Sequence, residues 1–388
     1  MRKKLQIPGL FYITHINNIP SILSNGIYCH DRIERENIDF TPIYDKGIVS
    51  NRKGIRTPDG HTLWSLTNLY FQPRNPMLYR VINEKPINDI AVISVRPEIL
   101  ERLDVYITTG NAAHSSSEIL SIGEGLKSLS RIMKETNIEY WKEQDGSKRR
   151  IMAECLVPDV VPPNLIQTIY VATRNAKENL EQKIPSNMPI VTEPNMFFHP
   201  LMIRNITNRL YLAEGDMFFS KAQTITISVN TVGIMGKGLA SRTRYQFPDV
   251  YVYYEDLCKK RRLTMGNPKI YKRESSLDYE LSDDPGTLTN GNSEKWFLLF
   301  PTKRHWRENS DINGIEEGLI WLSNSYKKEG IKSLAIPALG CGLGKLEWKD
   351  VGPLMCKYLS KLDITVAIYL PAEKHTPKEY LSSEYLLS

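Results

Sequence analysis

Apolar positions in the second half of the chain recur in two alternating patterns. Runs of strand length alternate with longer stretches whose apolar residues fall three or four positions apart. This alternation predicts an α/β arrangement, in which helices cover a largely parallel central sheet. The predicted strands are Leu210–Ala213, Thr224–Val229, Trp296–Phe300, Ser333–Ile336 and Ile364–Leu370, and the predicted helices are Lys237–Phe247, Val250–Lys260, Ile312–Lys327 and Lys349–Leu362.

The first half alternates less regularly and predicts mixed α and β structure. Between residues 31 and 61 there is little periodicity, and a long irregular segment in a compact domain is more often functional than idle. The predicted strands are Leu10–His15, Leu69–Phe71, Ala91–Val95, Ile151–Val157 and Ile166–Ala172, and the predicted helices are Asn17–Asn25, which Gly26 closes, and Ile119–Thr136.

A proline-rich stretch at 185–208 separates the halves and lacks sustained periodicity, as expected of a domain boundary. We therefore predict two domains, 1–200 and 201–388, because 388 residues suffice for two domains of ordinary size. Within the second domain, Ser275–Glu294 is rich in Ser, Asp, Gly and Asn, which predicts a flexible insertion on a loop.

Composition narrows the class of protein. Apolar residues make up 41% and charged residues 24%, which is typical of a globular chain. The five cysteines include no C-x-x-C pair, which argues against a disulfide framework or a metal site. No apolar stretch is long enough to span a membrane and no signal-type segment follows the first residues, so we expect a cytoplasmic protein. The net charge of +6 permits nucleic-acid binding without arguing for it.

Residues 229–240 read V-N-T-V-G-I-M-G-K-G-L-A, a predicted strand end followed by a glycine-rich turn and a helix N-terminus. Such a turn lets backbone N–H groups approach an anion. The spacing fits neither a Rossmann nor a P-loop motif, and a turn without a ligand is the alternative. A second glycine loop at 337–344 and Asp216 would lie at the same edge of the sheet. Two phosphate loops and an acidic contact for adenine indicate a diphosphate nucleotide such as ADP-ribose.

Four ordered segments carry a resemblance: G-D-M-F-F-S at 215–220, the loop at 229–240, F-P-T-K-R-H-W at 300–306 and P-A-L-G-C-G-L-G-K-L-E-W at 337–348. They resemble the macrodomains, α/β three-layer domains, and within them the DarG antitoxins that remove ADP-ribose from DNA. The resemblance implies that the acidic residue binds adenine and that the loops bind the diphosphate and distal ribose. The implied ADP-ribose contacts are Asp216, Met217, Asn230, Gly233, Met235, Gly236, Lys237, Gly238, Thr302, Gly340, Cys341, Gly342, Leu343 and Gly344.

Lys303 matches the lysine with which this branch attacks or polarises the anomeric carbon. A partly desolvated lysine near other cations loses proton affinity, and its neutral amine can form a Schiff base with opened ribose. Arg304 and His305 are the neighbours expected to lower its pKa, and a solvated lysine contacting phosphate is the alternative. Some relatives carry an Asp at the position of Gly344, so removal could rest on Lys303 alone, be slower, or give way to binding. Lys345 adds a cation where relatives often have glycine.

Three features of the first half stand apart from an ordinary core pattern. They are His15 at the end of the first strand, the aromatic-rich segment at 68–79, and Glu154 in an apolar run. A lone His is usually structural, and the segment at 68–79 also suits an edge strand with a rigid turn. Burying a carboxylate without a partner is costly, so Glu154 is predicted to point into a cleft. The alternative is an outward-facing Glu on an alternating strand, where it would share a face with Met152 and Leu156, but those two residues make that face apolar.

These features resemble the DarT family of DNA ADP-ribosyltransferase toxins over roughly 7–200, most clearly in I-T-H-I-N-N-I-P-S-I-L (13–23), Y-F-x-P-R-x-P-M-L-Y (70–79) and A-E-C-L-V (153–157). The resemblance implies an α+β ADP-ribosyltransferase fold, NAD as substrate, and a thymine ring nitrogen in single-stranded DNA as acceptor. Glu154 would stabilise an oxocarbenium-like state, and Arg52 would bind phosphate or activate the base, a role for which Arg56 competes. The implied NAD contacts are Thr14, His15, Asn18, Arg52 and Tyr70, the last stacking on nicotinamide.

Relatives tend to carry His-Asp before the aromatic strand, where this chain has Leu63-Trp-Ser-Leu66. This departure leaves the choice of base open, with guanine as an alternative acceptor. We predict a fused toxin–antitoxin whose first domain writes ADP-ribose onto DNA and whose second removes it; the sequence leaves open whether an intramolecular toxin–antitoxin contact joins them. A macrodomain that mainly binds ADP-ribose or inhibits, and a transferase that acts on RNA or protein, are the competing interpretations.

Overall fold

The computed structural model describes residues 7–44, 51–284, 286, 288, 294–371 and 376–388. Its contacts divide the chain into two compact units: 1–198 with 278–291, and 199–277 with 292–388. Among the described helices, none is long and apolar enough to cross a membrane. The same residues include no group of three or more His, Cys, Asp or Glu side chains that could hold a metal ion.

The first unit is organised around an eight-stranded sheet. The described strands of this unit are β1 (Leu10–His15), β2 (Ile27–Tyr28), β3 (Leu66–Tyr70), β4 (Ile90–Val95), β5 (Tyr106–Thr108), β6 (Ile119–Ser121), β7 (Glu154–Pro158), β8 (Val160–Val161), β9 (Ile166–Val171) and β10 (Ile190–Thr192). The sheet order is β10-β9-β4-β1-β3-β7-β5-β6, and β2 pairs with β8 outside it. Because β3 and β7 run antiparallel, Tyr70 lies opposite Glu154.

Helices pack their apolar residues into the core that this sheet forms. The helix Pro76–Glu84 begins where a proline takes the first turn and the Asn75 side chain accepts a hydrogen bond from the Leu78 N–H. The Thr173 side chain caps the helix Arg174–Glu181 in the same way. The described helices of this unit are Ile19–Asn25, His30–Arg35, Pro76–Glu84, Ile122–Thr136, Ser147–Arg150, Arg174–Glu181 and, apart from its first residue, Leu277–Leu281.

The second unit has a seven-stranded, largely parallel sheet, which confirms the predicted α/β arrangement. Its strands are β11 (Met202–Asn205), β12 (Leu210–Glu214), β13 (Thr224–Asn230), β14 (Lys269–Arg273), β15 (Lys295–Lys303), β16 (Ser333–Pro337) and β17 (Thr365–Tyr369). Their order is β11-β12-β17-β16-β13-β15-β14, and the two edge pairs are antiparallel while the four pairs between them are parallel. The carboxyl ends of β13, β15 and β16 therefore meet at one edge, where ligand sites of such sheets gather.

The helix Ile312–Glu329 shows why the helices of the second unit begin and end where they do. The Asp311 side chain accepts hydrogen bonds from the first free N–H groups, and Gly330 ends the helix at a φ of 84°, which favours glycine. The described helices of this unit are Gly238–Gln246, Pro248–Lys259, Ile312–Glu329, Trp348–Leu359 and Ser383–Leu386.

Two expectations for the first unit are wrong in detail, and one alternative interpretation is excluded. Residues 119–121 form β6, so the helix begins only at Ile122. Residues 151–153 precede β7, so Met152 does not share a strand face with Glu154. The segment at 68–79 holds no edge strand, because β3 lies between β1 and β7 and its rigid turn is the start of a helix at Pro76.

Three segments expected to be irregular contain regular elements. The stretch 185–208 holds β10 and β11, one strand of each sheet, and the units divide between Phe198 and His199. The stretch 31–61 includes most of the helix His30–Arg35, while 45–50 lie outside the described residues. The insertion 275–294 contains the helix Leu277–Leu281, and its Asp278 is only 3% exposed. The described part of that insertion is therefore no simple surface loop.

Candidate active sites

Glu154 and Arg52 form the charged centre of the first unit. Glu154 is fully buried, and its Oε2 accepts a hydrogen bond from Arg52 Nη2 at 2.9 Å. Its Oε1 accepts from the Ala112 N–H, also at 2.9 Å. Burial disfavours the charged guanidinium, but the Glu154 carboxylate outweighs this and raises the pKa of Arg52. Arg56, the competing arginine, instead donates to the Gly60 carbonyl at 2.8 Å, so the structure brings Arg52 to the carboxylate.

A cavity of about 140 Å³ includes Arg52 in its wall. Tyr70 lines it too and is 4% exposed, and its hydroxyl donates to Met77 Sδ at 3.3 Å. Burial raises the pKa of Tyr70, and the charge of Glu154 raises it further, so the phenol is neutral. The cavity thus brings Arg52, one member of the charged pair, together with an aromatic ring.

Thr14 and Asn18 line the same cavity, whereas His15 is not among its described lining residues. Asn18 Nδ2 donates to the Thr41 carbonyl at 2.8 Å and to Thr14 Oγ1 at 3.1 Å. These bonds hold the cavity-lining residues Thr14, Asn18 and Thr41 together. His15 Nδ1 accepts from the Asn17 N–H at 3.1 Å, and burial lowers its pKa. Four of the five predicted NAD contacts therefore come together, and His15 lies just beyond them.

Aromatic residues that the sequence did not single out complete this cavity. His30, Phe40 and Tyr44 line it, and His30 stacks on Trp64 with ring centroids 4.5 Å apart. Burial and the charge of Arg52 lower the pKa of His30 to about 4, so this ring is neutral near pH 7. These residues lie in or near the irregular stretch 31–61, where only their aromatic density could have indicated them.

In the second unit, Asn230 at the end of β13 holds the first glycine loop. Its Nδ2 donates to the Ile234 carbonyl at 2.6 Å, and its Oδ1 accepts from the Tyr254 hydroxyl at 2.9 Å. Gly233 and Gly238 adopt φ angles of 84° and 58°, which favour glycine, and a nine-residue helix begins at Gly238. The Asn230 amide thus organises the loop, and any contact with a ribose would add to these bonds.

Lys303 ends β15 and is the register partner of Asn230 on β13. Its Nζ donates to the Glu308 carbonyl at 3.0 Å and to the Leu343 carbonyl at 3.4 Å. Leu343 belongs to the second glycine loop, so the ammonium lies at the meeting point of the two strand ends and that loop. The sequence predicts the ADP-ribose site of the second domain at this same edge of the sheet.

Burial is expected to lower the pKa of Lys303 and does so, but neither expected neighbour, Arg304 or His305, is among the groups that lower it. Burial lowers this pKa most, and the charge of Lys345 lowers it further. Arg304 has little effect because it is exposed and its guanidinium lies 3.5 Å from Asp311. The sequence alone indicates that Lys345 is a cation near the second glycine loop, but it does not show that this charge acts on Lys303.

Asp216 follows β12 and caps a short helix by accepting from the Phe218 N–H at 3.1 Å. Its Oδ2 also accepts from Arg242 Nη1 at 2.8 Å, and this guanidinium lies 4.4 Å from the centroid of the Phe218 ring. Sequence reasoning missed Arg242, because its pairing depends on a contact 26 positions away. The remaining predicted contacts divide by exposure: the buried ones are Met217, Met235, Thr302, Gly340, Cys341 and Gly344, and the exposed ones are Gly236, Lys237, Gly342 and Leu343.

Known proteins resemble both units of the chain. The family model of DarT, the ssDNA thymidine ADP-ribosyltransferase, matches residues 11–198, and that of the macro domain matches 287–355. A DNA ADP-ribosyl transferase–DNA ADP-ribosyl glycohydrolase fusion protein of Thermosipho africanus is 55% identical over 97% of this chain and 98% of its own. The chain belongs to this fusion family.

The solved structure of Thermosipho africanus DarTG in complex with ADP-ribose matches with a TM-score of 0.93 and 53% identity, covering 98% of this chain and all of that one. A DNA ADP-ribosyl glycohydrolase of Mycobacterium tuberculosis is 33% identical over 41% of this chain and 41% of its own. As a member of the fusion family, the chain is an enzyme with an ADP-ribosyltransferase unit and a glycohydrolase macrodomain, and both predicted fold classes are confirmed.

The second glycine loop of this fusion protein leaves no room for a side chain at position 344. A Cβ on Gly344 would overlap the Ser310 hydroxyl and lie 2.9 Å from the Gly340 Cα. The Ser310 N–H also donates to the Gly344 carbonyl at 2.9 Å, which fixes this approach. An acidic residue such as some relatives carry here would therefore require the loop to move.

Proposed function

We propose that the first unit transfers ADP-ribose from NAD to a thymidine base in single-stranded DNA and that the macrodomain removes it. The buried pair of Glu154 and Arg52, beside a cavity lined by Thr14, Asn18 and Tyr70, carries the first half of the proposal. The family model that matches this unit is that of a thymidine ADP-ribosyltransferase acting on single-stranded DNA, which supports this acceptor. The Thermosipho africanus fusion protein was solved with ADP-ribose, which supports the second half.

In the transfer, the bond between the ribose anomeric carbon and nicotinamide breaks, and nicotinamide leaves with the bonding electrons. The ribose gains positive charge, which the Glu154 carboxylate stabilises. Arg52 holds this carboxylate in place through their ion pair. A ring nitrogen of the base then bonds to the anomeric carbon and gives up its proton to water. Tyr70 is assigned to stack on nicotinamide, and His15 to contact the adenine-side ribose. A base must be unstacked to react, which favours a single strand.

In the removal, Asp216 and the two glycine loops hold ADP-ribose at the strand ends. Lys303, with its lowered pKa, supplies a neutral amine that attacks the anomeric carbon. The bond between the anomeric carbon and the base breaks, and the base leaves with the bonding electrons and takes up the proton that the attacking amine loses. The ribose ring then opens as the bond between the anomeric carbon and the ring oxygen breaks, which gives the Schiff base, and water hydrolyses it to ADP-ribose and the free amine. Regenerating the amine completes the cycle, so no metal is required.

The test uses the full chain, NAD and single-stranded oligonucleotides that differ only in whether they contain thymidine. We expect nicotinamide release that depends on the thymidine-containing strand, and a transient mass gain on that strand that the macrodomain then erases. A strand containing guanine but no thymidine serves as the alternative acceptor. Release that proceeds equally without DNA, or a stable mark on protein instead, would contradict the proposal.

Replacing Lys345 with Asn should shift the pH dependence of ADP-ribose removal. Lys345 lowers the pKa of Lys303, so losing its charge raises that pKa and leaves less neutral amine at a given pH. The acidic limb of the rate profile should move to higher pH, with removal slower near pH 7 and equal at high pH. Asn suits the left-handed backbone of Lys345, whose φ is 62°.

The measurement is the rate of mass loss from a purified ADP-ribosylated oligonucleotide across pH. Lys361→Asn is the matched control, because this exposed lysine loses the same charge without being among the groups that shift the Lys303 pKa. A profile that stays in place for Lys345→Asn, or one that moves equally for the control, would count against a neutral-amine mechanism.

A further inference from the structure

One wall of the transferase cavity comes from outside residues 1–198. Asp283 lies in the segment 278–284, which in sequence connects two strands of the macrodomain sheet, β14 and β15, but belongs by its contacts to the first unit. Asp283 and Arg80 line the same cavity as Arg52 and Tyr70. The established transferase family match covers 11–198 only, so it assigns no role to this segment.

Two hydrogen bonds anchor the segment 278–284 within the first unit. The Tyr79 hydroxyl donates to the Asp278 carboxylate, whose residue is 3% exposed. Trp141 Nε1 donates to the Leu281 carbonyl at 3.0 Å. The donors are a buried tyrosine and a buried tryptophan, so the segment is held by side chains of the first unit's interior. Asp283 therefore has a fixed place in the wall.

Asp283 pairs with a guanidinium that is almost completely removed from water. The Arg80 side chain is 2% exposed; its Nε donates to Asp283 Oδ1 at 2.6 Å and its Nη1 to Glu84 Oε2 at 3.1 Å. Glu84, one helical turn away, already balances the single positive charge of Arg80. Asp283 adds a second negative charge, so this trio is net negative by one.

The charge of Asp283 reaches the reactive end of the cavity. Burial raises the pKa of Tyr70, the charges of Glu154 and Asp283 add to that rise, and the charges of Arg52 and Arg80 oppose it. Tyr70 is the strand partner of Glu154, and it lines the cavity. The extra negative charge on the wall therefore acts where the ribose is expected to become positive. Such fixed charges act strongly in a cavity that excludes water.

We propose that Asp283 is a positioning residue of the transferase: acting through Arg80, it keeps the cavity wall negatively charged beside the ribose cation. This rests on the proposed transfer reaction, because it requires positive charge to develop there. The segment 278–284, which lies in sequence between two strands of the macrodomain, is then part of the transferase. ADP-ribose transfer therefore depends on residues inserted in the macrodomain sequence.

The test is Asp283→Asn in the full chain, with initial rates of nicotinamide release measured against NAD concentration in the presence of single-stranded DNA. Asn keeps an oxygen that can accept from Arg80 Nε and removes only the charge. The kcat should fall about tenfold, or about 1.4 kcal/mol in activation free energy. The KM for NAD should not rise, because NAD is an anion and the wall has become less negative.

Asp284→Asn is the matched control: it removes the same charge from the next residue, which does not line the cavity, and should keep the wild-type kcat. Asp283→Glu restores the charge and should recover most of the rate. Wild-type kcat in Asp283→Asn, an equal loss in Asp284→Asn, or a change confined to KM would overturn the proposal. If the wild-type chain itself releases no nicotinamide with DNA present, the proposed function fails instead.

Discussion

Replacing Glu154 with Gln is expected to slow DNA-dependent nicotinamide release at least about a hundredfold, the scale seen when one preorganised electrostatic group is lost. Gln preserves the shape of the side chain, and its amide oxygen can still accept from Arg52 or from the Ala112 N–H. What disappears is the negative charge next to the ribose. Arg52, with its side chain 15% exposed, would then carry an uncompensated positive charge toward the forming cation.

Nicotinamide release is the right readout for this variant, because the macrodomain cannot reverse it as it can reverse the mark on DNA. Glu101→Gln is the control, since this exposed glutamate lies outside the cavity. Losing a buried charge also destabilises the fold, by roughly 3–5 kcal/mol when one partner of a pair is removed. Rates should therefore be compared below the melting temperature of the variant. A near-normal rate would remove Glu154 from the mechanism.

The parallel sheet of the second unit could be predicted from the sequence because its inner strands are covered on both faces. Such strands, among them β15 and β16, contain apolar runs between helical patterns. The edge strand β11 could not be found in this way, because none of its residues is fully buried and no apolar run marks it. The same physics explains the proline-rich stretch 185–208, which looked irregular but contributes a short strand to each sheet.

The candidate sites divide along similar lines. Glu154 and Lys303 stood out because each is a polar residue at the end or start of an apolar strand and belongs to a recognisable motif. The pair of Arg80 and Asp283 could not be predicted, because 203 positions separate the two residues and neither lies in a motif. The low-complexity composition of 275–294 even argued for a flexible loop. Only the tertiary contacts reveal that a piece of it closes the cavity.

Lys303→Ala is expected to slow removal of ADP-ribose from DNA at least about a hundredfold, so that the mark made by the same chain accumulates. The two carbonyls that Lys303 contacts, of Glu308 and Leu343, lie at a partly exposed position and can bind water instead, so the fold should persist. Mass spectrometry of the oligonucleotide, incubated with NAD and either the wild-type chain or the variant, measures the difference directly.

Lys303→Arg distinguishes the two roles open to this residue. Arginine keeps the positive charge that would contact a phosphate, but it stays protonated and cannot act as a neutral amine nucleophile. If Lys303 is the nucleophile, the Arg variant should still bind ADP-ribose while removing the mark no faster than the Ala variant. Near wild-type removal by the Arg variant would instead mean that a fixed charge suffices. Lys361→Ala, an exposed lysine outside the strand ends, should behave as wild type in both measurements.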